Sequence, residues 1–152
     1  MGYSVPVDEK MACAYGRNLN ISWKDANQVC ANIKGMPLKK AREFLNRVLE
    51  HRDFIEYRKY NTGIGHRTGG KIGKYPEKAI KEILKLLRNA EANAEQKGLD
   101  TEKLYIYHAT AYKGANLYVR TFRKMRPRPK GRGGPRKIEL ANIEIVVKED
   151  AA

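Results

Sequence analysis

Residues 120–139 read RTFRKMRPRPKGRGGPRKIE, and the place of this stretch decides the fold. From Arg120 to Lys137 it holds nine Lys or Arg, three Pro, three Gly and no carboxylate. Such a run has the composition of a disordered basic tail. Regular apolar patterns on both sides argue otherwise. Upstream, Leu104, Ile106 and His108 alternate with Tyr105, Tyr107 and Ala109, which predicts a strand from about 103 to 112. Gly114 interrupts it, and Leu117 and Val119 continue it briefly. Downstream, Ile138 and Leu140 share one phase while Ile143, Ile145 and Val147 share the other. That pattern predicts a strand over 139–147 with a β-bulge near Ala141–Asn142. Two strands joined by the basic segment make a hairpin. Its arms, about 116–126 and 129–138, are too polar to bury a face and therefore project. At ~3.3 Å per residue they reach roughly 30 Å, and an isolated ribbon of that kind needs a partner to hold it.

Working toward the N-terminus, Cys13, Tyr15, Leu19 and Ile21 fall on one alternating face, with Arg17 interrupting, so 13–21 reads as a strand. Ser22 is an N-cap for an amphipathic helix over 23–34, whose stripe is Ala26, Val29, Cys30 and Ile33 and which ends at Gly35. Pro37 suits the first turn of a second helix with Leu38, Ala41, Leu45, Val48 and Leu49 inward. A third helix opens at Pro76, buries Ile80, Ile83, Leu84, Leu87 and Ala94, and stops at Gly98. The expected class is α+β: a small three-stranded antiparallel sheet packed against three helices, with a long protruding basic β-hairpin. The expectation is one domain over 1–152, with a body of about 12–115 and 139–148 and a hairpin of about 116–138.

The chain has 152 residues, 41% of them hydrophobic, and a net charge of +14. The opening stretch concentrates that charge, which implies a polyanionic partner, nucleic acid before an anionic membrane surface. There is no apolar run near 18 residues to span a membrane, and MGYSVPVDEK has no apolar signal core, so a cytoplasmic protein is expected. Cys13 and Cys30 read as reduced, partly buried thiols. His51, His66 and His108 do not share metal-ligand spacing, and neither Ser4 nor Ser22 sits in a nucleophile context. Gly65 to Lys71 spells G-x-x-x-x-G-K, but Ile72 stands where a phosphate-binding loop needs a hydroxyl, and no helix is expected to open at the lysine. No enzyme, cofactor or metal is expected.

Residues 58–75, RKYNTGIGHRTGGKIGKY, suit an RNA contact: Arg58, Lys59, His66, Arg67, Lys71 and Lys74 stand among five glycines. Tyr57, Tyr60 and Tyr75 offer rings for unpaired bases. A solvated loop would carry the same composition. The hairpin admits three readings: a solvated charge run, a minor-groove binder resembling an AT-hook, or a hairpin inserted into folded RNA. Arginine outnumbers lysine in it, and guanidinium forks onto phosphate, which favours RNA.

These residues resemble the large-ribosomal-subunit protein L-twenty-two family. The signature runs from Arg123 through Arg128, Gly131 and Arg132 to Asn142-Ile-Glu-Ile-Val-Val147, and NTGIGH (61–66) with KYPEKA (74–79) resembles the archaeal and eukaryotic branch. Pro129 departs from the small residue usual there. The resemblance spans about residues 13–148. It implies a non-enzymatic, monomeric constituent of the large subunit that binds 23S-type rRNA beside neighbouring ribosomal proteins and supports assembly. It implies arm contacts at Arg120, Arg123, Lys124, Arg136 and Lys137, joined by Arg126, Arg128, Lys130 and Arg132. The tip, Met125, Arg126, Pro127, Arg128, Pro129, Lys130, Gly131 and Arg132, would line the exit tunnel and meet the nascent polypeptide. The runner-up is a free-standing basic nucleic-acid-binding protein, AT-hook-like or of RNA-chaperone type.

Overall fold

A computed structural model describes residues 3–119 and 136–150. The segment 120–135, with the whole expected tip and the arm residues Arg120, Arg123 and Lys124, lies outside them. The element order is β1 (Met11–Leu19), α1 (Trp23–Ile33), α2 (Leu38–Leu49), β2 (Ile55–Glu56), β3 (Gly73–Lys74), α3 (Glu77–Gln96), a 3-10 turn (Thr101–Lys103), β4 (Leu104–Val119) and β5 (Arg136–Glu149). Strands β1, β5 and β4 form one antiparallel sheet in that order, so β5 is the central strand. The α+β class with three helices and a three-stranded antiparallel sheet is as expected.

The helices cover one face of this sheet. Along β5, Ala141, Ile143, Ile145 and Val147 are fully buried against them. Each large aliphatic side chain buried this way contributes roughly 1.5–3 kcal/mol. Along β1 the residues facing the helices are Ala12, Ala14 and Gly16. This overturns the expected face: Cys13 and Tyr15 point to the opposite side and are half-buried. The reason is spacing. Helix α3 lies close over β1, and a Cβ on Gly16 would stand 2.8 Å from Leu19 Cδ1 and 3.0 Å from Leu86 Cδ1. Small residues make the approach possible, while the larger Cys and Tyr fill the open side.

Local signals place the helices as expected. The Ser22 hydroxyl accepts from the Asp25 N–H at 3.3 Å, and Gly35 leaves α1 at φ +83°, a left-handed turn that suits glycine. In α3 the buried set is Ala79, Ile80, Ile83, Leu86, Leu87, Ala90 and Ala94, whereas Leu84 is only half-buried at the flank. The Arg42 guanidinium of α2 meets Glu91 of α3 at 2.5 Å. No helix among the described residues is long and apolar enough to cross a membrane.

The bulge expected within the last strand lies in its neighbours instead. Between Ile143 and Ala141 of β5, β1 advances from Gly16 to Leu19; between Ala141 and Glu139, β4 advances from Lys113 to Asn116. Each neighbour carries one extra residue there, and β5 runs on without one. A third irregularity lies in β4 between Ile106 and His108. Asn142 holds the double bulge together. Its Oδ1 accepts the Asn18 N–H at 2.8 Å, Asn18 adopts φ +52°, and Asn18 Oδ1 accepts the Ala115 N–H at 3.2 Å. A Cβ on Gly114 would press within 2.9 Å of Asn18 Oδ1 and 3.2 Å of the Leu140 carbonyl, so glycine leaves room for the crossing.

Strand β1 ends against Ala141, but β4 and β5 stay paired through Asn116↔Glu139, Leu117↔Ile138 and Tyr118↔Lys137 to Val119↔Arg136. The sheet thus narrows from three strands to two as it leaves the helices. Leu117 and Tyr118 are exposed there.

On the face away from the helices, the N-terminal segment lies across the sheet. Ser4 donates its N–H and its hydroxyl to the buried Glu144 carboxylate, at 3.0 and 2.7 Å, and its hydroxyl also stands 3.1 Å from His108 Nε2. Burial and the nearby Lys34 ammonium hold the His108 imidazole below its ordinary value. Tyr15 and Tyr112 share a hydroxyl contact of 3.0 Å, which pushes Tyr112 up to about 12.

Candidate nucleic-acid interface

The loop between α2 and α3 is long and polar, and a few contacts give it a fixed shape. Strands β2 and β3 clamp its base through Ile55↔Lys74 and Glu56↔Gly73. Gly73 is required at that clamp, because a Cβ there would collide with the Phe54 ring. Helix α1 supplies the second anchor. The buried Gln28 amide oxygen accepts the N–H groups of Arg58 at 3.1 Å and Lys59 at 3.2 Å. Asn32 donates to the Glu56 carbonyl at 2.9 Å. The far end turns at Gly69 and Gly70, both left-handed, and the Arg67 N–H donates to the Lys71 carbonyl at 2.7 Å.

On this frame the six expected cations are all exposed, and they do not play one role. Arg58 and Lys71 both lean toward the Glu56 carboxylate, at 3.8 and 4.0 Å. Lys74 is 3.7 Å from Asp25 and lies over the Tyr57 ring. Arg67 folds back on the loop: its Nε donates to the Gly73 carbonyl at 3.0 Å, and its guanidinium sits 4.7 Å from the Tyr75 ring centre. Its geometry makes it a brace for the loop. His66 Nδ1 is 3.1 Å from the Gly70 carbonyl.

The three tyrosines also separate. Tyr57 is buried, and its hydroxyl donates to Asp25 at 2.8 Å, so it offers no face to a base. Burial and the Asp25 carboxylate push that phenol well above its ordinary range. Tyr75 is wedged between His51, 4.7 Å away, and Arg67. Tyr60 is the most open of the three, 43% exposed, in a T-shaped contact with Trp23 at 5.4 Å and with the Lys24 ammonium over its ring at 5.5 Å.

Trp23 is the residue that sequence reasoning passed over. Its indole Nε1–H donates to Glu139 Oε2 at 3.0 Å, at the root of the two-stranded arm. The other oxygen of Glu139 meets Lys113 at 3.0 Å and Lys137 at 3.4 Å. The indole donor, followed by the Lys113 ammonium, holds this carboxyl down to about 2. Trp23 thereby ties the loop, through Tyr60, to the hairpin root, through Glu139. Of the expected hairpin cations, Lys137 is exposed opposite Tyr118 and Arg136 pairs along the backbone with Val119. Arg126, Arg128, Lys130 and Arg132 fall outside the described residues.

The G-x-x-x-x-G-K loop does not have the geometry of a nucleotide cradle. His66 bridges Ile72, the chain continues into β3 at Gly73, and the next helix opens only at Glu77. The burial of Cys30 pushes its thiol up to about 12, and burial also raises that of Cys13.

Residues 14–148 match the family described as ribosomal protein L22p/L17e. The chain is similar to the large ribosomal subunit protein uL22 of Methanopyrus kandleri, 43% identical over 97% of this chain and 94% of that protein. It is 42% identical to the uL22 protein of Methanococcus vannielii, over 98% of this chain and 97% of the relative. The uL22 protein of Sulfolobus acidocaldarius is likewise 42% identical, over 96% and 94%.

Proposed function

This chain belongs to the ribosomal protein L22p/L17e family, and on that premise we propose that it binds 23S-type rRNA as a structural, non-catalytic part of the large subunit in the cytoplasm. The observation that carries this reading is the narrowing of the sheet: β4 and β5 remain paired beyond the end of β1, toward the basic segment. That geometry supports a single domain whose body ends near Glu139 and whose hairpin carries residues 120–135 away from it. Lys or Arg side chains along such a ribbon meet phosphates of converging RNA helices and offset their mutual repulsion. Each contact releases counterions, so affinity falls steeply with salt.

In this reading Arg120, Arg123, Lys124, Arg136 and Lys137 are the arm contacts, and Met125–Arg132 forms the tip lining the exit tunnel, where it meets the nascent polypeptide. The loop supplies a second contact through Arg58, Lys59, His66, Arg67, Lys71 and Lys74, and Arg67 also keeps the loop in shape. The protein sits as one copy among neighbouring large-subunit proteins, and bridging separate RNA segments from two anchor points supports subunit assembly. A sucrose gradient in high salt tests the reading. The protein is expected to sediment with large subunits, and its confinement to free fractions would favour a free-standing nucleic-acid-binding protein. The double variant Arg128→Glu with Arg132→Glu is expected to fold normally and to enter subunits poorly.

A further inference from the structure

We propose that Tyr60, backed by Trp23 and Lys24, is a stacking platform for one unpaired nucleobase of the bound RNA. The inference rests on the rRNA-binding reading and adds to it a site and a ligand class. Four observations converge on this ring. It is a large aromatic side chain left open to solvent in a loop whose other two tyrosines are occupied internally. Its backbone lies at φ +55°, a left-handed conformation that bulky L residues adopt rarely and at a cost, and such outliers concentrate where function requires them.

The chain is also held on both sides of Tyr60. Gln28 fixes the two preceding N–H groups, and a turn closed by the Ile64 N–H on the Asn61 carbonyl fixes the chain immediately after it. Finally, the Lys24 ammonium stands over the Tyr60 ring at 5.5 Å and over that of Trp23 at 5.8 Å, and the exposed Arg58 and Lys59 directly precede Tyr60 in the chain. A flat π surface next to cations fits a base with its flanking phosphate. Only an unpaired nucleotide can present a base face, so the ligand is a single-stranded or bulged position of the RNA. Because Trp23 also donates to Glu139, a base held here is fixed in position relative to the root of the hairpin.

The test uses the full chain and a large-subunit rRNA transcript at fixed salt, with the emission of the single tryptophan, Trp23, as reporter. Stacking beside it is expected to quench Trp23 at saturating RNA. Tyr60→Phe is expected to bind within about twofold of the parent. Tyr60→Asn accepts the left-handed backbone and removes the ring, so it is expected to keep or raise Tm. Its affinity is expected to fall about tenfold or more with an unchanged salt slope, as loss of one stacked base requires. The proposal is overturned if Tyr60→Asn binds like the parent, or if it loses affinity and Tm together. Failure of the parent chain itself to bind rRNA would remove the broader reading as well, which distinguishes the two.

Discussion

Replacing Gln28 by leucine isolates what holds the basic loop to the body. The side chain is 2% exposed in α1, yet its carbonyl accepts from both Arg58 and Lys59. Leucine keeps the helix propensity and most of the volume and removes the acceptor. Two backbone donors then lose their partner. Each net hydrogen bond is worth about 0.5–1.5 kcal/mol, and a donor left buried costs up to ~3 kcal/mol. Arg58 and Lys59 lie at the surface, where water replaces part of the loss, so the expected destabilisation is about 2 kcal/mol. For a chain of this size that lowers Tm by roughly 4–8 °C. Amide hydrogen exchange followed by NMR separates this from a general core defect: residues 58 and 59 should lose protection while Ile80 and Ile143 keep theirs relative to global stability. An unchanged Tm with unchanged exchange at 58 and 59 would refute the assignment of Gln28 as the anchor.

Ile145→Asp places an unpaired charge in the middle of the central strand and should cost more than ~4 kcal/mol, enough to abolish cooperative unfolding by circular dichroism. Leu84→Asp, at the half-buried flank of α3, should cost far less and leave a folded chain in the same assay. The Glu139 carboxyl is depressed to about 2, so its contribution is complete above the ordinary carboxylate range and is lost as pH falls toward 2. Trp23 emission should report that loss in the parent and stay flat over the same pH range in Glu139→Gln. Cys30, its thiol raised to about 12, should resist thiol reagents at pH 8 in the native chain and react once denatured.

The elements that could be read from sequence were those whose signal is local. The α1 stripe, its Ser22 cap and the Gly35 exit need only neighbouring residues, and they stand where the spacing put them. Strand β1 was found, but its face was inverted, because alternation alone ranks Cys13 and Tyr15 above Ala12, Ala14 and Gly16. What decides the face is the closeness of α3, far away in sequence. The phase slip at Ala141–Asn142 marked a real irregularity, yet a single strand's pattern does not say which partner holds the extra residue. The Glu144–Ser4 pairing spans 140 residues and left no local trace. In the loop, the cations were legible as a group, but the contacts of Arg67 with Gly73 and Tyr75, and the pairing of Arg58, Lys71 and Lys74 with Glu56 and Asp25, came only from the structure. Tyr57 and Tyr60 look alike in sequence; an Asp25 partner buries one, and a left-handed turn exposes the other.

The middle strand of the sheet is the last of the described strands to be synthesised. Neither β1 nor β4 has its main partner until β5 arrives, since the two outer strands lie on either side of it. During synthesis α1, α2 and α3 therefore wait with an uncovered apolar face, and the basic segment emerges before the body that anchors it is complete. Long-range pairing of this kind is slow, and the waiting chain is open to aggregation.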